Sequence, residues 1–291
     1  MEKRRPLNPM ADVFVRYLLG SESNKDILID FLNAVFSHKG HELVVDLEIR
    51  NPFNLTTIQE SKESILDIKA KDRNGRWINV EVQVSHEPSY AARSLYYWAK
   101  SYTDQLSRGD VYSDLSPSVC INLLDFTLFP ELSDFHSCFQ ITEKDHKEYI
   151  LTEHLEIHFI ELSKLDFTAI PNFETAILRW CYYFKNEGNI QEDTMPVLLK
   201  DNPAIEKAHH VYEDFTSDEQ LMDMAEAHEK WVKDVNTRLK TARQQGLEQG
   251  LEQGLEQAKI EDAKKMLQEG LDIALICRIT GLSEDQIKKL T

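Results

Sequence analysis

Residues 65–85 (ILDIKAKDRNGRWINVEVQVS) constrain the fold more than any other stretch of the chain, because two runs of alternating side chains flank an Asn-Gly turn signal at 74–75. Strand side chains repeat every second residue, so Glu81 and Gln83 share one face of the second run. The opposite face is β-branched and apolar, as a core-facing surface requires. A hairpin closed at 74–75 predicts that Asp67 lies beside Glu81 across the strand pair.

This arrangement of polar groups has a chemical use. Two carboxylates a few ångströms apart repel each other unless a cation or a shared proton intervenes. Hard oxygen ligands suit Mg²⁺, which can polarise a phosphodiester and activate a water. The motif alone is more typical of a solvated sheet face than of a metal site, and both interpretations stay open on the residues themselves.

The residues of this motif resemble a known family. Asp67 followed by Glu81-Val82-Gln83 is similar to the PD-(D/E)xK nuclease signature in its transposase-like branch, the Rpn recombination-promoting nucleases, where Gln commonly replaces the final Lys. Residues 12–20 (DVFVRYLLG) resemble the opening segment of that branch. Further along the chain, the downstream elements of the same branch are resembled by Arg93, Tyr97, Gly109 and the run INLLDF at 121–126. The resemblance covers the first half of the chain and part of its C-terminal tail.

The resemblance implies an α/β fold: a restriction-endonuclease-like mixed sheet flanked by helices, with a helical C-terminal extension. It implies a DNA endonuclease that depends on Mg²⁺, with Mn²⁺ or Ca²⁺ as alternatives, and that promotes recombination or acts in defence against mobile DNA. Asp67 and Glu81 would ligate the ion together with the backbone carbonyl of Val82, and Gln83 would orient the attacking water. Being neutral, Gln83 cannot supply the charge stabilisation of a Lys.

Further residues are candidates for the same site. Arg93, Tyr97 and Lys100 lie on one polar stripe of a helix predicted at 90–108, where they could hold phosphate, although a solvated helix face explains Lys100 equally well. Asp12 is either a first-turn residue favoured by the helix dipole or an accessory acid near the metal. The alternative function is a catalytically inert nuclease-fold protein that serves in assembly.

The remaining elements follow from periodicity. The pattern predicts the order αβββαβ, with further strands behind it. The predicted helices are 25–37, capped by Ser23 or Asn24, and 90–108, with a buried stripe of Ala91, Leu95, Trp98, Tyr102 and Leu106 and with Gly109 at its end. The predicted strands are 43–49, 118–126, 135–142 and 155–162. We interpret His154 and His158 as sheet residues without a nearby Cys or carboxylate partner, and His38 and His41 as surface residues.

The charge of the chain disfavours nucleic acid as a partner. The formal net charge is −17, whereas phosphate binding usually leaves a basic footprint. Basic residues nevertheless crowd around the motif, which predicts a modestly basic face on an acidic body; the alternative is a protein that touches no nucleic acid. These residues are Lys62, Lys69, Lys71, Arg73, Arg76, Arg93, Lys100 and Arg108.

Composition also bears on location. No apolar run is long enough to cross a membrane, so no membrane partner is expected. Four scattered cysteines without a CxxC pair predict free thiols in a reducing cytoplasm.

The chain divides into four predicted parts. They are a nuclease-like core at 8–165, a helical region at 166–242, a GLEQ repeat at 243–258 and a small helix–turn–helix-like tail at 259–291. The repeat is either a flexible linker or a self-associating helix, and we expect a homo-oligomer through the C-terminal helices. Ser283 and Gln286 predict a capping box for the last helix. That helix begins with Glu284 and Asp285, which favours an assembly module over DNA reading.

Overall fold

The computed structural model describes residues 6–53, 68–167, 173–190, 193–200 and 202–290. Asp67 and Lys62 therefore lie outside the described residues. The chain divides into two compact units, Met1–His228 and Glu229–Thr291. Each unit is described by itself.

The first unit is built on one mixed sheet of six strands, with the spatial order β1-β2-β3-β4-β6-β5. Strand β3 runs parallel to β4, and β4 runs parallel to β6, while the other three neighbouring pairs are antiparallel. The predicted mixed sheet and its αβββαβ order are confirmed. The strands are β1 Leu47–Ile49, β2 Ile68–Asp72, β3 Trp77–Gln83, β4 Ser118–Leu124, β5 His136–Phe139 and β6 Leu155–Glu161.

Helices cover both faces of this sheet. The main core lies between one sheet face and a helical layer that contains many buried aromatic rings, and a smaller cluster lies on the other face under α3. The helices are α1 Asp12–Gly20, α2 Lys25–Lys39, α3 Tyr90–Thr103, α4 Ala176–Asn186, α5 Met195–Leu199, α6 Pro203–Ser217, α7 Glu219–Gln268, α8 Ile273–Thr280 and α9 Glu284–Lys288.

Strand β4 is the centre of the sheet. All seven of its residues are buried, as predicted for a strand covered on both faces. Val80 of β3 pairs with Ile121 of β4, and both face the main core. The neighbouring pair, Glu81 and Asn122, must then face the opposite side, because side chains alternate along a strand.

Strand β1 is shorter than the predicted strand 43–49. The side chain of Asn33 donates from Nδ2 to the carbonyl of Val44 at 2.9 Å and accepts from its N–H at 2.7 Å, so this backbone does not need a ladder partner. Val45 is 80% exposed. Side chains do alternate along 43–49, but residues 43–46 lie in a loop that the Asn33 side chain holds in place.

Two predictions for the helices were wrong. Asn24 precedes α2 but its side chain caps nothing, because Nδ2 donates instead to the carbonyl of Tyr17 at 3.3 Å. Helix α3 ends at Thr103, five residues before the predicted end, so Gly109 (φ +107°) belongs to a later turn.

Helix α3 also buries a different stripe from the predicted one. Tyr90 and Ser94 are buried, whereas Ala91 is exposed and Leu95 is 50% exposed. Trp98 is half-buried and donates from Nε1 to the carbonyl of Ser118 at 2.7 Å. The helix is therefore turned so that polar and aromatic groups, rather than its aliphatic ones, meet β4.

The second unit contains the GLEQ repeat and the tail. The repeat is helical and forms part of α7. Helix α8 ends at Gly281 (φ +72°), and α9 begins with the predicted capping box of Ser283 and Gln286. The small core of the second unit consists of Ala263, Ile276, Leu282 and Ile287.

Among the described residues, no helix is both long enough and apolar enough to span a bilayer.

We predict that Leu19→Ala lowers the free energy of unfolding by about 2–5 kcal/mol, because Leu19 is fully buried in the main core. The matched control is Leu95→Ala, where half of the side chain already meets water, and a change within about 1 kcal/mol is expected. Urea denaturation measures both. A large loss at Leu95 would restore the predicted orientation of α3 and contradict the one described.

Candidate active site

A row of polar side chains crosses the centre of the sheet on the face covered by α3. Asn79 and Glu81 of β3 pair with Cys120 and Asn122 of β4, so the four side chains stand on one face. Tyr90 of α3 closes the row, and its hydroxyl donates to Asn122 Oδ1 at 3.1 Å. Polar residues on a doubly covered strand cost stability unless they are hydrogen-bonded. Each of these makes at least one hydrogen bond, but the buried Oδ1 of Asn79 has no partner among the described residues.

Glu81 is the acidic group of this row and is only 8% exposed. Asn79 Nδ2 donates to Glu81 Oε1 at 3.0 Å. Burial first, and then the negative charge of Glu81, raise the pKa of Cys120 to about 12. The same two causes raise the pKa of the Tyr90 hydroxyl. Both neighbours are therefore neutral at pH 7.

The donors around Glu81 fit a hard divalent cation. A buried carboxylate is stable when it is paired or coordinates a metal, and Mg²⁺ prefers oxygen ligands. The one soft donor, Cys120, is a protonated thiol and does not compete for the ion. Glu81 is the described residue best placed to hold such an ion.

Two further metal ligands are predicted, Asp67 and the backbone carbonyl of Val82. Asp67 lies outside the described residues; the residue after it, Ile68, pairs with Val80, the residue before Glu81. The Val82 side chain packs against the main core on the opposite face, and ligation by its carbonyl stays a prediction.

Gln83 continues the row beyond Glu81 and is held at both ends of its amide. Its Oε1 accepts from Arg93 Nη2 at 3.0 Å, and its Nε2 donates to the carbonyl of Ser85 at 3.1 Å. The amide is therefore fixed in one orientation. A positive charge from α3 stands directly beside it.

Arg93 is itself held from several sides. Its Nη1 forms an ion pair with Glu87 at 2.5 Å, and its guanidinium lies over the rings of Tyr90 at 4.9 Å and Tyr97 at 5.6 Å. Its buried Nε has no hydrogen-bond partner among the described residues. The predicted pair of Arg93 and Tyr97 is thus brought together beside Gln83, which sequence periodicity could suggest but not fix.

Asp12 lies in the first turn of α1 and within electrostatic reach of Arg93. Burial raises the pKa of the Asp12 carboxyl from 3.8 to about 6, and the positive charge of Arg93 offsets this only in part. His228 Nδ1 lies 3.7 Å from Asp12 Oδ2, and burial lowers the pKa of that imidazole. An acid with a pKa raised towards neutrality near a second candidate group is typical of functional sites.

The predicted basic face is weaker than expected. Arg73 and Arg76, at the hairpin end, are held by carboxylates: Arg73 Nη2 lies 2.7 Å from Asp46 and Arg76 Nε lies 2.6 Å from Asp72. Lys69 and Lys71 of β2 alternate onto the face that carries Asn79, and Lys100 is exposed near the end of α3. Basic groups that face the row therefore come from β2 and α3.

Sequence reasoning missed four of the polar groups around Glu81. They are Asn79, Tyr90, Ser94 and Asn122. The signal was present, because Asn79 shares the face of Glu81 and Asn122 interrupts an otherwise apolar strand. Neither residue suggests a site until the parallel pairing of β3 with β4 is known.

Two family models match the chain. A model described as PD-(D/E)XK nuclease family transposase matches residues 9–242. A model described as the C-terminal HTH domain of the Rpn/YhgA-like nuclease family matches residues 256–291. Neither the search of curated proteins nor that of solved structures finds a match.

We predict that Asp12 destabilises the fold at neutral pH. The folded-state pKa of about 6 exceeds the unfolded value of 3.8, so the folded state binds more protons between about pH 4 and 6 and loses stability as pH rises through that window. In Asp12→Asn this loss disappears, and the variant should be about 1–3 kcal/mol more stable than the wild type at pH 7.5, with a smaller difference at pH 4.

Asp46→Asn is the control of opposite sign. Hydrogen bonds from Lys25 and Arg73 lower the pKa of Asp46 to about 2. Its contribution to stability is present above about pH 4 and fades as pH falls towards 2, so the variant should be less stable than the wild type at neutral pH. Chemical denaturation from pH 3 to 8 measures all three proteins. A wild type and Asp12→Asn with parallel profiles would remove Asp12 from the site.

Proposed function

Because the chain belongs to the PD-(D/E)XK nuclease family transposases, whose relatives are typically phosphodiester hydrolases, we propose that it is a metal-dependent endonuclease acting on DNA. The observation that carries the proposal is the setting of Glu81. This carboxylate is 8% exposed on a polar row of the central sheet, two residues before an amide fixed by an arginine. A sheet residue with no function would not need a buried carboxyl group, which is costly to remove from water.

Asp67, Glu81 and the carbonyl of Val82 would hold the ion, with Mg²⁺ proposed and Mn²⁺ or Ca²⁺ as alternatives. When bound, the ion would supply polarisation of the phosphodiester and activation of water. The hydrogen bond from Asn79 orients the Glu81 carboxylate, and partners of this kind around a ligand tune metal affinity.

Gln83 stands where most relatives carry Lys, and Arg93 compensates for that difference. The Gln83 amide accepts from Arg93 Nη2 at 3.0 Å, so the site keeps a positive charge beside position 83. A guanidinium stays protonated whatever its surroundings. We propose that Gln83 orients the attacking water while Arg93 supplies the charge that the amide lacks.

DNA would approach over the same face. Tyr97 lies beside Arg93, and Lys100 is exposed one turn further along α3. Lysines of β2 border the row from the other side. These groups support phosphate contact by α3, and the promotion of recombination or defence against mobile DNA follows from the family resemblance.

We predict that Glu81→Gln reduces Mg²⁺-dependent nicking of supercoiled plasmid by about 100-fold or more, because electrostatic stabilisation at a reacting centre is worth that much. Asp67→Asn should have the same effect. Arg93→Gln should cost less than either, since it removes charge without removing a ligand. The matched control is Glu48→Gln on the edge strand β1, where the carboxylate is 64% exposed and pairs with Arg50. It should nick like the wild type.

A thermal shift separates failure of the site from failure of the assay. An ion that binds the folded state raises the melting temperature. Mg²⁺ should raise it in the wild type and in Glu48→Gln but not in Glu81→Gln. Equal nicking and equal shifts in all variants would refute the site. The absence of nicking together with the absence of any Mg²⁺ shift would favour the inert assembly protein.

We further propose that the second unit self-associates through the repeat. Leu247, Leu251 and Leu255 are 70%, 65% and 57% exposed on a continuous helix. At the three repeat glycines, no atom beyond the helix itself lies within 4 Å of where a Cβ would stand, so a second helix can approach closely. A second copy of the same chain offers a matching apolar and glycine-lined face. The acidic start of α9, where Lys288 pairs with Glu284, favours assembly for the tail as well.

We predict that Leu251→Glu raises the dissociation constant of the oligomer by about tenfold or more, because it buries a charge in the paired helices. Gln253→Glu adds the same charge within the same repeat and is the control. Analytical ultracentrifugation over a concentration series measures both. A monomeric wild type, or equal dissociation in both variants, would refute pairing through the leucine face.

A further inference from the structure

A second cluster of metal-ligating side chains lies at the far edge of the sheet from β1. His41 follows α2, Cys138 lies on the edge strand β5, and His158 lies on β6. One donor atom from each lies within 4.8 Å of the other two. The prediction that His158 has no Cys or carboxylate neighbour was therefore wrong, because the pairing of β5 with β6 places Cys138 directly opposite it.

Glu156 borders two members of this group. Glu156 Oε1 lies 3.3 Å from His41 Nδ1, and Glu156 Oε2 lies 3.6 Å from His158 Nε2. Cys138 Sγ lies 3.7 Å from the same His158 nitrogen. Metal bonds of about 2.0–2.3 Å in a tetrahedral site put neighbouring donor atoms about 3.3–3.6 Å apart. The separations of 3.3 Å and 3.6 Å from Glu156 to the two imidazoles, and of 3.7 Å from Cys138 to His158, are close to that spacing.

A chain of imidazoles orients His158. Its Nδ1 lies 3.0 Å from His136 Nε2, and His136 Nδ1 lies 2.9 Å from His38 Nδ1. A neutral imidazole has one donor and one acceptor nitrogen. When His158 and His136 each donate from Nδ1 and His38 accepts at Nδ1, His158 Nε2 keeps its lone pair and directs it towards Cys138 and Glu156. Histidine ligands are commonly oriented in this way by a hydrogen bond at the other ring nitrogen.

We propose that His41, Cys138, Glu156 and His158 form a structural zinc site. Two imidazoles, one thiol and one carboxylate are donors that zinc accepts, whereas a thiol does not suit Mg²⁺. With Glu156 as the fourth ligand, no position would remain for a reacting water, which distinguishes a structural site from a catalytic one. The ion would join the segment after α2 to the edge strand β5 and to β6, three segments that are distant in the sequence.

The zinc site is separate from the proposed nuclease site. His158 pairs with Ile121, whose side chain faces the main core, so His158 stands on the sheet face opposite Glu81. Strand β4 also lies between β3 and β6. The proposal does not depend on nuclease activity.

The test uses the full-length protein, stripped with a chelator and titrated with Zn²⁺ in excess Mg²⁺, which fills the hard-oxygen site. We expect one Zn²⁺ per chain by elemental analysis after dialysis and a melting temperature that rises with Zn²⁺ and falls again with chelator. Titration with Co²⁺ in place of Zn²⁺ should give a thiolate-to-cobalt charge-transfer band in the near ultraviolet.

Two variants and one control make the result specific. Cys138→Ser should lose the cobalt band, and it should bind Zn²⁺ at least about tenfold more weakly. His41→Asn changes a ligand that is 22% exposed and should fold even if Cys138→Ser does not; it should also bind more weakly. Cys277→Ser changes a half-buried thiol in the second unit and should behave like the wild type. The proposal is overturned by a wild type without stoichiometric Zn²⁺, or by a cobalt band that survives in both ligand variants.

Discussion

The parallel pairing of β3 with β4 is the interaction on which the rest of the first unit depends. It fixes which residues face which layer, because a shift of one residue would exchange the two faces of a strand. In the observed register Val80 and Ile121 meet the helical layer, while Glu81 and Asn122 meet α3. The same pairing therefore builds the main core and places a carboxylate on the other side of it.

The position of α3 follows from that polar face. An aliphatic helix stripe would leave Asn122 Oδ1 without the hydroxyl donor of Tyr90, and a buried polar group that lacks a partner costs about 1–3 kcal/mol. The helix instead turns its Tyr90 hydroxyl and the Ser94 side chain towards β4 and leaves Leu95 in water. The same rotation places Arg93 within hydrogen-bonding distance of Gln83. The hydrogen bonds of the polar row therefore determine which side of α3 packs on the sheet.

Local signals explain what the sequence could predict. Alternation along β3, the apolar run of β4 and the capping box at Ser283 each depend on neighbours in the chain, and all three are confirmed. The family resemblance led to Glu81, Gln83 and Arg93, which the structure places in one row. Asp67 remains a prediction, because it lies outside the described residues.

Non-local contacts explain what the sequence could not predict. The side chain of Asn33 replaces a strand partner at Val44, so the alternation at 43–49 overstated β1. The exposure of Leu95 depends on which residues β4 presents. His158 and Cys138 are 20 residues apart and meet only through the antiparallel pairing of β5 with β6. Each of these errors has the same origin, since periodicity shows which residues share a face but not what that face meets.

The ion pair of Glu87 with Arg93 weakens the binding of a single small anion to this guanidinium. A guanidinium that already contacts Glu87, Gln83 and two aromatic rings has little to gain from a single small anion, which must displace a carboxylate to reach it. A polymer of phosphates competes on different terms, because it engages several cations at once and releases many counterions as it binds. On the proposed DNA-binding face, the contact would therefore favour a nucleic-acid strand over the free phosphates and carboxylates of the surrounding solution.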